Sequence, residues 1–292
     1  MSDEMQIDAV MWPDVDWSSS AAEWRLAEQL GIRRGWVYDH LNLGPRHEQW
    51  HEATTYLAAV GASTSTIGIG TMVTTPNFRH PAVTAKSLLT LNHIAGGRVM
   101  VGVGAGGVGG DSEALGGPVL TRAERMERLH EWTHQLRTLM SAERVDARGR
   151  WSSVHDVRLG GSPALAPPLA VAGTGPKGMR LAAEVADVWI TQDIAQDVRV
   201  AAPTAEAEVA RQLAILDAEC DRGGRDPATL RRLAVLGYGS ERPLASRAAF
   251  VDAIERYHRL GVTTIAVLWP RGREASAQLA MLADVIGQVS AQ

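Results

Sequence analysis

The chain has 292 residues, 45% hydrophobic and 21% charged, which supports a sizeable core and excludes wholesale disorder. A formal net charge of -4 lacks the basic excess of a nucleic-acid binder, and the lone Cys220 excludes an intramolecular disulfide and any CxxC-type metal site. The acidic start, MSDEMQIDAVMW, lacks the basic region and apolar core of a signal peptide. No apolar run approaches the ~20 residues that span a bilayer, so a cytoplasmic protein without membrane partners is expected.

Short apolar runs alternate with helical patterns along the chain. MQIDAVMW (5–12) predicts a first strand, and SSSAAEWRLAEQLG (18–31) a helix with serine caps and a glycine stop. RGWVYDH (34–40) is a second strand ending in polar residues, EQWHEATTYLAAVGAST (48–64) a helix and STIGIGTMV (65–73) a third strand. HPAVTAKSLLTLNHIAGG (80–97) has proline near a helix start and glycine at its end. RVMVGVGAG (98–106) is strand four, followed by the charged helix TRAERMERLHEWTHQLRTLMS (121–141), whose i,i+4 pairs suit a solvated face. GRWSSVHDVRL (149–159) reads as a small excursion with hairpin character. Strands and helices then alternate through PPLAVAGTG (167–175), PKGMRLAAEVA (176–186), DVWIT (187–191) and TAEAEVARQLAILDAECDRGG (204–224). RRLAVLGYG (231–239), SRAAFVDAIERYHRLG (246–261), VTTIAVLWP (262–270) and EASAQLAMLADVIGQV (274–289) complete the series.

These make about eight βα units, the number that closes a parallel barrel. Near-continuous Val, Ile and Ala runs suit strands covered on both faces. The expected fold is therefore α/β, a single (β/α)8 TIM barrel domain over residues 1–292, with the excursion near 149–160. An open doubly wound sheet has difficulty absorbing so many evenly spaced units.

GRVMVGVGAGGVGG (97–110) contains a GxGxxG match at Gly102, Gly104 and Gly107. A Rossmann fingerprint sits on the first βα turn, with an acid about 20 residues on. Here other βα units come first, and the loop-like DSEALGGPVLTRAER follows. On a barrel these glycines lie at the C-terminal face, where backbone N–H groups can approach an anionic or flat ligand. A second loop, AGTGPKG, runs through Gly173 to Gly178 with Lys177 at a helix start. Two such loops suit a phosphate-bearing cofactor; simple tight turns are the plainer explanation of the same residues.

The ordered motifs AEQLGIRRGWVYDH, IGIGTMVTTPNFRHPAVTAKSLLTLNHIAGGRVMVGVGAG and LAVAGTGPKGMRLAAEVADVWIT carry a resemblance over essentially the whole chain. It resembles the luciferase-like flavin and deazaflavin oxidoreductases, in the branch that uses coenzyme F420. The resemblance implies the (β/α)8 barrel and places Asp39 and His40 against the deazaflavin ring, with His40 passing a proton. It implies a non-proline cis peptide at or beside Met72–Val73, with Thr71, Met72 and Val73 supporting the ring. Gly104, Ala105, Gly106 and Gly107, with Gly173, Thr174, Gly175, Pro176 and Lys177, would hold the cofactor's phosphate end. Related sugar-phosphate dehydrogenases carry a glutamate directly after the strand-four glycines. Here the chain reads Ala105, Gly106, Gly107, Val108, and the nearest acids are Asp111 and Glu113. That departure favours an F420H2-dependent reductase acting on a C=C or C=N bond. An FMN-dependent monooxygenase and a non-catalytic flavin-binding relative are the alternatives. The resemblance also implies a homodimer.

Among individual residues, His40 has the pKa range and position for proton transfer, and Asp39 is expected to orient it or cap the next segment. Trp12 and Trp269 are candidate walls for a flat substrate, and Arg271 a contact for an anionic one. His80 is either a helix-start residue or a cofactor neighbour. His47 and His51, like His130 and His134, are four apart, but without a third ligand of suitable spacing no metal site is expected.

Overall fold

The computed structural model describes residues 5–43, 49–107, 110–193 and 202–289. It runs β1 (Gln6–Val10), α1 (Trp17–Gln29), β2 (Arg34–Val37), α2 (Ala53–Ser63), β3 (Gly68–Thr74), α3 (Pro81–Ile94), β4 (Val99–Val103) and α4 (Arg122–Ser141). An antiparallel hairpin of β5 (Val145–Arg148) and β6 (Ser153–Val157) follows. β7 (Leu169–Ala172), α5 (Pro176–Val185), β8 (Val188–Gln192), α6 (Ala202–Arg222), β9 (Arg231–Leu236), α7 (Arg247–Arg259), β10 (Thr264–Leu268) and α8 (Ala275–Val289) complete the chain. The strands close into a barrel in the order β1-β10-β9-β8-β7-β4-β3-β2, which is the expected (β/α)8 fold and not an open sheet. No described helix is long and apolar enough to cross a membrane.

Two boundaries differ from the sequence expectation. α2 starts at Ala53, because Glu52 turns back and accepts the N–H groups of Thr54 and Thr55 as an N-cap. The excursion begins at Val145, earlier than the expected 149: the short run Val145–Arg148 pairs with β6, and Glu131 on α4 anchors the turn by accepting from the N–H groups of Arg150, Trp151 and Ser152.

The described residues of 1–11, 25–36 and 171–292 pack as one compact unit. Ala9, Val10, Ile265, Ala266, Val267 and Trp189 are fully buried there, consistent with parallel strands covered on both faces. Asp8 breaks that pattern. It is buried in β1, and Trp36 Nε1 donates to its Oδ2 at 2.7 Å, while Oδ1 has no partner among the described residues. Burial pushes its carboxyl up to about 6, against the pull of the Arg34 charge and the Trp36 hydrogen bond.

The described residues of 12–24 and 37–170 form the second unit, built on the β3–β4 pair and on α3 packed with α4. Trp132, Leu136 and Leu139 of α4 are buried within it. Arg98 ties the end of α2 to the strands, donating to the carbonyls of Gly61, Thr64 and Ile67.

Because the Asp8 carboxyl is raised from 3.8 to about 6, its contribution is fully present below pH 3.8 and is lost as pH rises through about 6. Asp8→Asn keeps an acceptor for Trp36 without the charge. The variant is expected to match the parent near pH 4 and to exceed it at pH 8 by about 3 kcal/mol in urea unfolding. A variant with the parent's full pH dependence contradicts this assignment.

Candidate active site

The centre of the second unit is a mismatch between β3 and β4. Thr71 pairs with Val101 and Thr74 with Val103, so β3 carries one extra residue and bulges. The Met72–Val73 peptide within the bulge is cis, where the resemblance puts it. The bulge is accommodated at Gly102 of β4 and at Gly104 just after it. A Cβ on Gly102 would lie 2.0 Å from the Thr71 carbonyl oxygen, and one on Gly104 would lie 2.5 Å from Val73 Cγ2. Gly106 has φ +71°, and a Cβ there would meet Asn77 Nδ2 at 2.3 Å. At Gly107 a Cβ would meet nothing within 4 Å among the described residues. The GxGxxG stretch is therefore a packing surface at Gly102 and Gly104, with open space at Gly107; it is not a dinucleotide turn. Ala105 is half-buried beside these glycines. Thr71 spends its hydroxyl on the Gly102 carbonyl at 3.0 Å, Met72 is buried and Val73 half-buried. The buried Thr74 Oγ1 has no partner among the described residues.

Beyond the end of β2, His40 Nδ1 lies 2.7 Å from Asp111 Oδ2. Asp111 Oδ1 in turn accepts from the N–H groups of Leu41 at 2.8 Å and Asn42 at 2.7 Å. Burial would raise the Asp111 carboxyl, but the hydrogen bonds from His40, Asn42 and Leu41 hold it below the ordinary carboxylate range. With Nδ1 engaged, Nε2 is the nitrogen left to exchange a proton, on a side chain that is 32% exposed. Trp50 meets the His40 ring edge-on at 5.8 Å, and Trp12 lies 6.3 Å from Trp50.

Asp39 does not orient His40. It is buried, and its carboxylate accepts from Arg79 Nε at 2.5 Å and Nη2 at 2.6 Å, a bidentate pair. Arg79 Nη2 also donates to Glu52, the N-cap of α2. Burial acts to raise Glu52, but hydrogen bonds from Thr54, Thr55 and Arg79 bring its carboxyl down to about 2. The cluster pins the end of β2 to the start of α2. His80 is the N-cap of α3, accepting from the Ala82 N–H at 3.3 Å. His51 precedes α2 instead of lying on it, and its Nε2 is 2.9 Å from the Val15 carbonyl. His47 lies outside the described residues.

In the first unit, Gly173 and Gly178 touch: a Cβ on Gly173 would lie 2.8 Å from Gly178 Cα. Trp189 Nε1 donates to the Gly173 carbonyl at 2.8 Å. Thr174 and Gly175 are half-buried; Gly175 caps α5 without a side chain, Pro176 follows, and Lys177 is exposed. The plainer explanation of this loop, a tight turn, accounts for Gly173 and Gly178. Trp269 and Arg271 line a cavity of about 290 Å³ together with Arg242, Glu274 and Gln278. Asp193, at the end of β8, is raised by burial, against the N–H groups of Gly237 and Gly239 that it accepts.

No spacing rule points to Asp111, which meets His40 from 71 residues away, nor to Arg79, which meets Asp39 from 40. Both contacts are made by the barrel.

Residues 13–238 match the family model described as luciferase-like monooxygenase. The chain is 35% identical over 232 residues to an F420-dependent hydroxymycolic acid dehydrogenase of Mycobacterium tuberculosis, covering 76% of this chain and 59% of that protein. It is 39% identical over 168 residues to an F420-dependent glucose-6-phosphate dehydrogenase of Beutenbergia cavernae, covering 56% of this chain and 49% of that one. The chain thus spans about half to three-fifths of the length of these relatives. An F420-dependent secondary alcohol dehydrogenase, solved with an F420-acetone adduct, has a TM-score of 0.81 at 20% identity, covering 98% of this chain and 99% of that one, which speaks to the fold alone.

The β3–β4 contact makes the glycines unequal. Gly102→Ala forces a Cβ into the Thr71 backbone and is expected to cost about 3 kcal/mol. Gly107→Ala is expected to stay within about 0.5 kcal/mol of the parent. Urea unfolding of both variants checks this; equal losses would contradict the packing role.

Proposed function

The chain belongs to the luciferase-like monooxygenase family, and from that premise we propose that it is a coenzyme F420-dependent oxidoreductase acting on a small organic substrate. The observation that carries this reading is the His40–Asp111 pair at the end of β2, a proton-transfer group held by a buried carboxylate. The F420-dependent relatives support the cofactor. So do features of the chain itself: the bulge of β3 and, among the described residues, the unpartnered Thr74 hydroxyl and the space at Gly107.

When bound, F420 supplies a two-electron hydride donor or acceptor. Thr71, Met72 and Val73 would support its ring, and Ala105, Gly106 and Gly107 would approach its phosphate end through backbone. The resemblance assigns Gly173, Thr174, Gly175, Pro176 and Lys177 to its phosphate; the first N–H groups of α5, which no side chain caps, suit that role. His40 holds or releases a proton at Nε2. Asp111 fixes the ring's orientation through Nδ1. Asp39 acts through Arg79 and Glu52, keeping the strand end in place, and is a positioning residue. Trp12, Trp269 and Arg271 are proposed substrate contacts, the last two through the cavity of their own unit.

The direction proposed is reduction of a C=C or C=N bond, because Ala105, Gly106 and Gly107 put no acid directly after β4. A second reading, oxidation of a hydroxyl group, is favoured by the same dyad: His40 can take the hydroxyl proton as hydride leaves carbon. Anaerobic assays separate them, with F420H2 offered to enones and imines and F420 to secondary alcohols. Turnover that requires oxygen would replace both with a monooxygenase.

His40→Gln is expected to slow hydride transfer by about 100-fold, and Asp111→Asn by about 10-fold, with smaller changes in cofactor affinity. Stopped-flow deazaflavin absorbance reads the rates. Parent-like transfer in His40→Gln would remove His40 from the chemistry.

A further inference from the structure

The second unit contains a cavity of about 230 Å³ lined by Asn77, Arg79, Arg128, Trp132 and Trp151, among others. It holds two guanidinium groups with different accounts. Arg79 is neutralised by Asp39 and Glu52. Arg128 pairs with no carboxylate among the described residues. Its Nη2 donates to the Asn77 side-chain oxygen, and its Nε is buried without a partner among the described residues. Burial and the neighbouring Arg125 charge both work against its cation. The nearby Arg150, by contrast, is paired with Glu124 and Glu127 and stacks on Trp151 at 4.6 Å.

A half-buried cation with an orphaned donor is costly unless something supplies the acceptor. Two polar side chains of the walls are already engaged: Trp132 Nε1 donates to the Arg79 carbonyl, and the Ser152 hydroxyl donates to Gln135. The cavity also adjoins the loop after β4, since Asn77 Nδ2 donates to the Gly107 carbonyl at 3.4 Å.

We infer that this cavity is an oxyanion site, in which Arg128 receives a carboxylate or phosphate carried by a small molecule and Trp132 and Trp151 cover its apolar part. The anion has two sources of the same chemistry. It is either the phosphate- and carboxylate-bearing tail of F420, an arm that rests on the proposed function, or a separate small acid.

The test uses the full chain and two variants. Arg128→Gln removes the cation. Asn77→Asp provides an internal carboxylate for Arg128, and so also works if Arg128→Gln does not fold. Tryptophan fluorescence is titrated with inorganic phosphate and benzoate. F420 is compared with the same deazaflavin lacking phosphate and tail. The expected result is saturable quenching by phosphate or benzoate in the parent, weakened about tenfold or more in each folded variant. If F420 is weakened in parallel while the tail-less deazaflavin is not, the cofactor tail is the source. If F420 is unaffected, the source is a separate acid. No anion binding by the parent, or equal binding by parent and variants, overturns the site. Failure of both deazaflavins to bind the parent would sink the cofactor reading, and the phosphate and benzoate titrations would still decide the site.

Discussion

The contact between the bulge of β3 and the bare face of β4 is the constraint on which the second unit depends. A strand with one extra residue must find room for it. Here the room comes from Gly102 and Gly104, where the Thr71 carbonyl and the Val73 side chain occupy the space of missing Cβ atoms. Neither side of the contact can change alone. A side chain on β4 would push the bulge out, and a regular β3 would leave β4 with a void. Gly106 extends the same logic into the loop, where its positive φ lets Asn77 close over it.

Electrostatics then fixes the polar groups around that packed centre. Two buried carboxylates emerge at neighbouring points of the chain's fold and are used differently. Asp39 is consumed by Arg79 in a bidentate pair, a structural tie between strand and helix ends. Asp111 accepts two backbone N–H groups with one oxygen and the imidazole with the other. It therefore shapes the turn after β2 and aims the histidine in one step. Only the second arrangement leaves a titratable group with an exposed face.

Much of the barrel was legible in the chain because its signal is local: apolar runs, capping residues and glycine stops recur with each unit. The site was legible in part. The cis bond at Met72–Val73 stands where the resemblance put it, and His40 is named by the chain, but the partner of His40 does not announce itself. Asp111 reads as an ordinary loop acid, and Arg79 as one more arginine ahead of a helix; each acquires its role by meeting a residue far along the chain. The glycines teach a related lesson. An anion cradle and a close strand contact call for the same residue, so composition cannot separate them, whereas the space around each Cα does. Gly102 and Gly104 are filled by the protein itself, and Gly107 is open.

Equilibrium titration of the purified chain with F420 and with FMN, side by side, tests the cofactor assignment most directly. Micromolar or tighter binding of F420 with much weaker binding of FMN is the predicted result. Preference for FMN, or binding of neither, would contradict it.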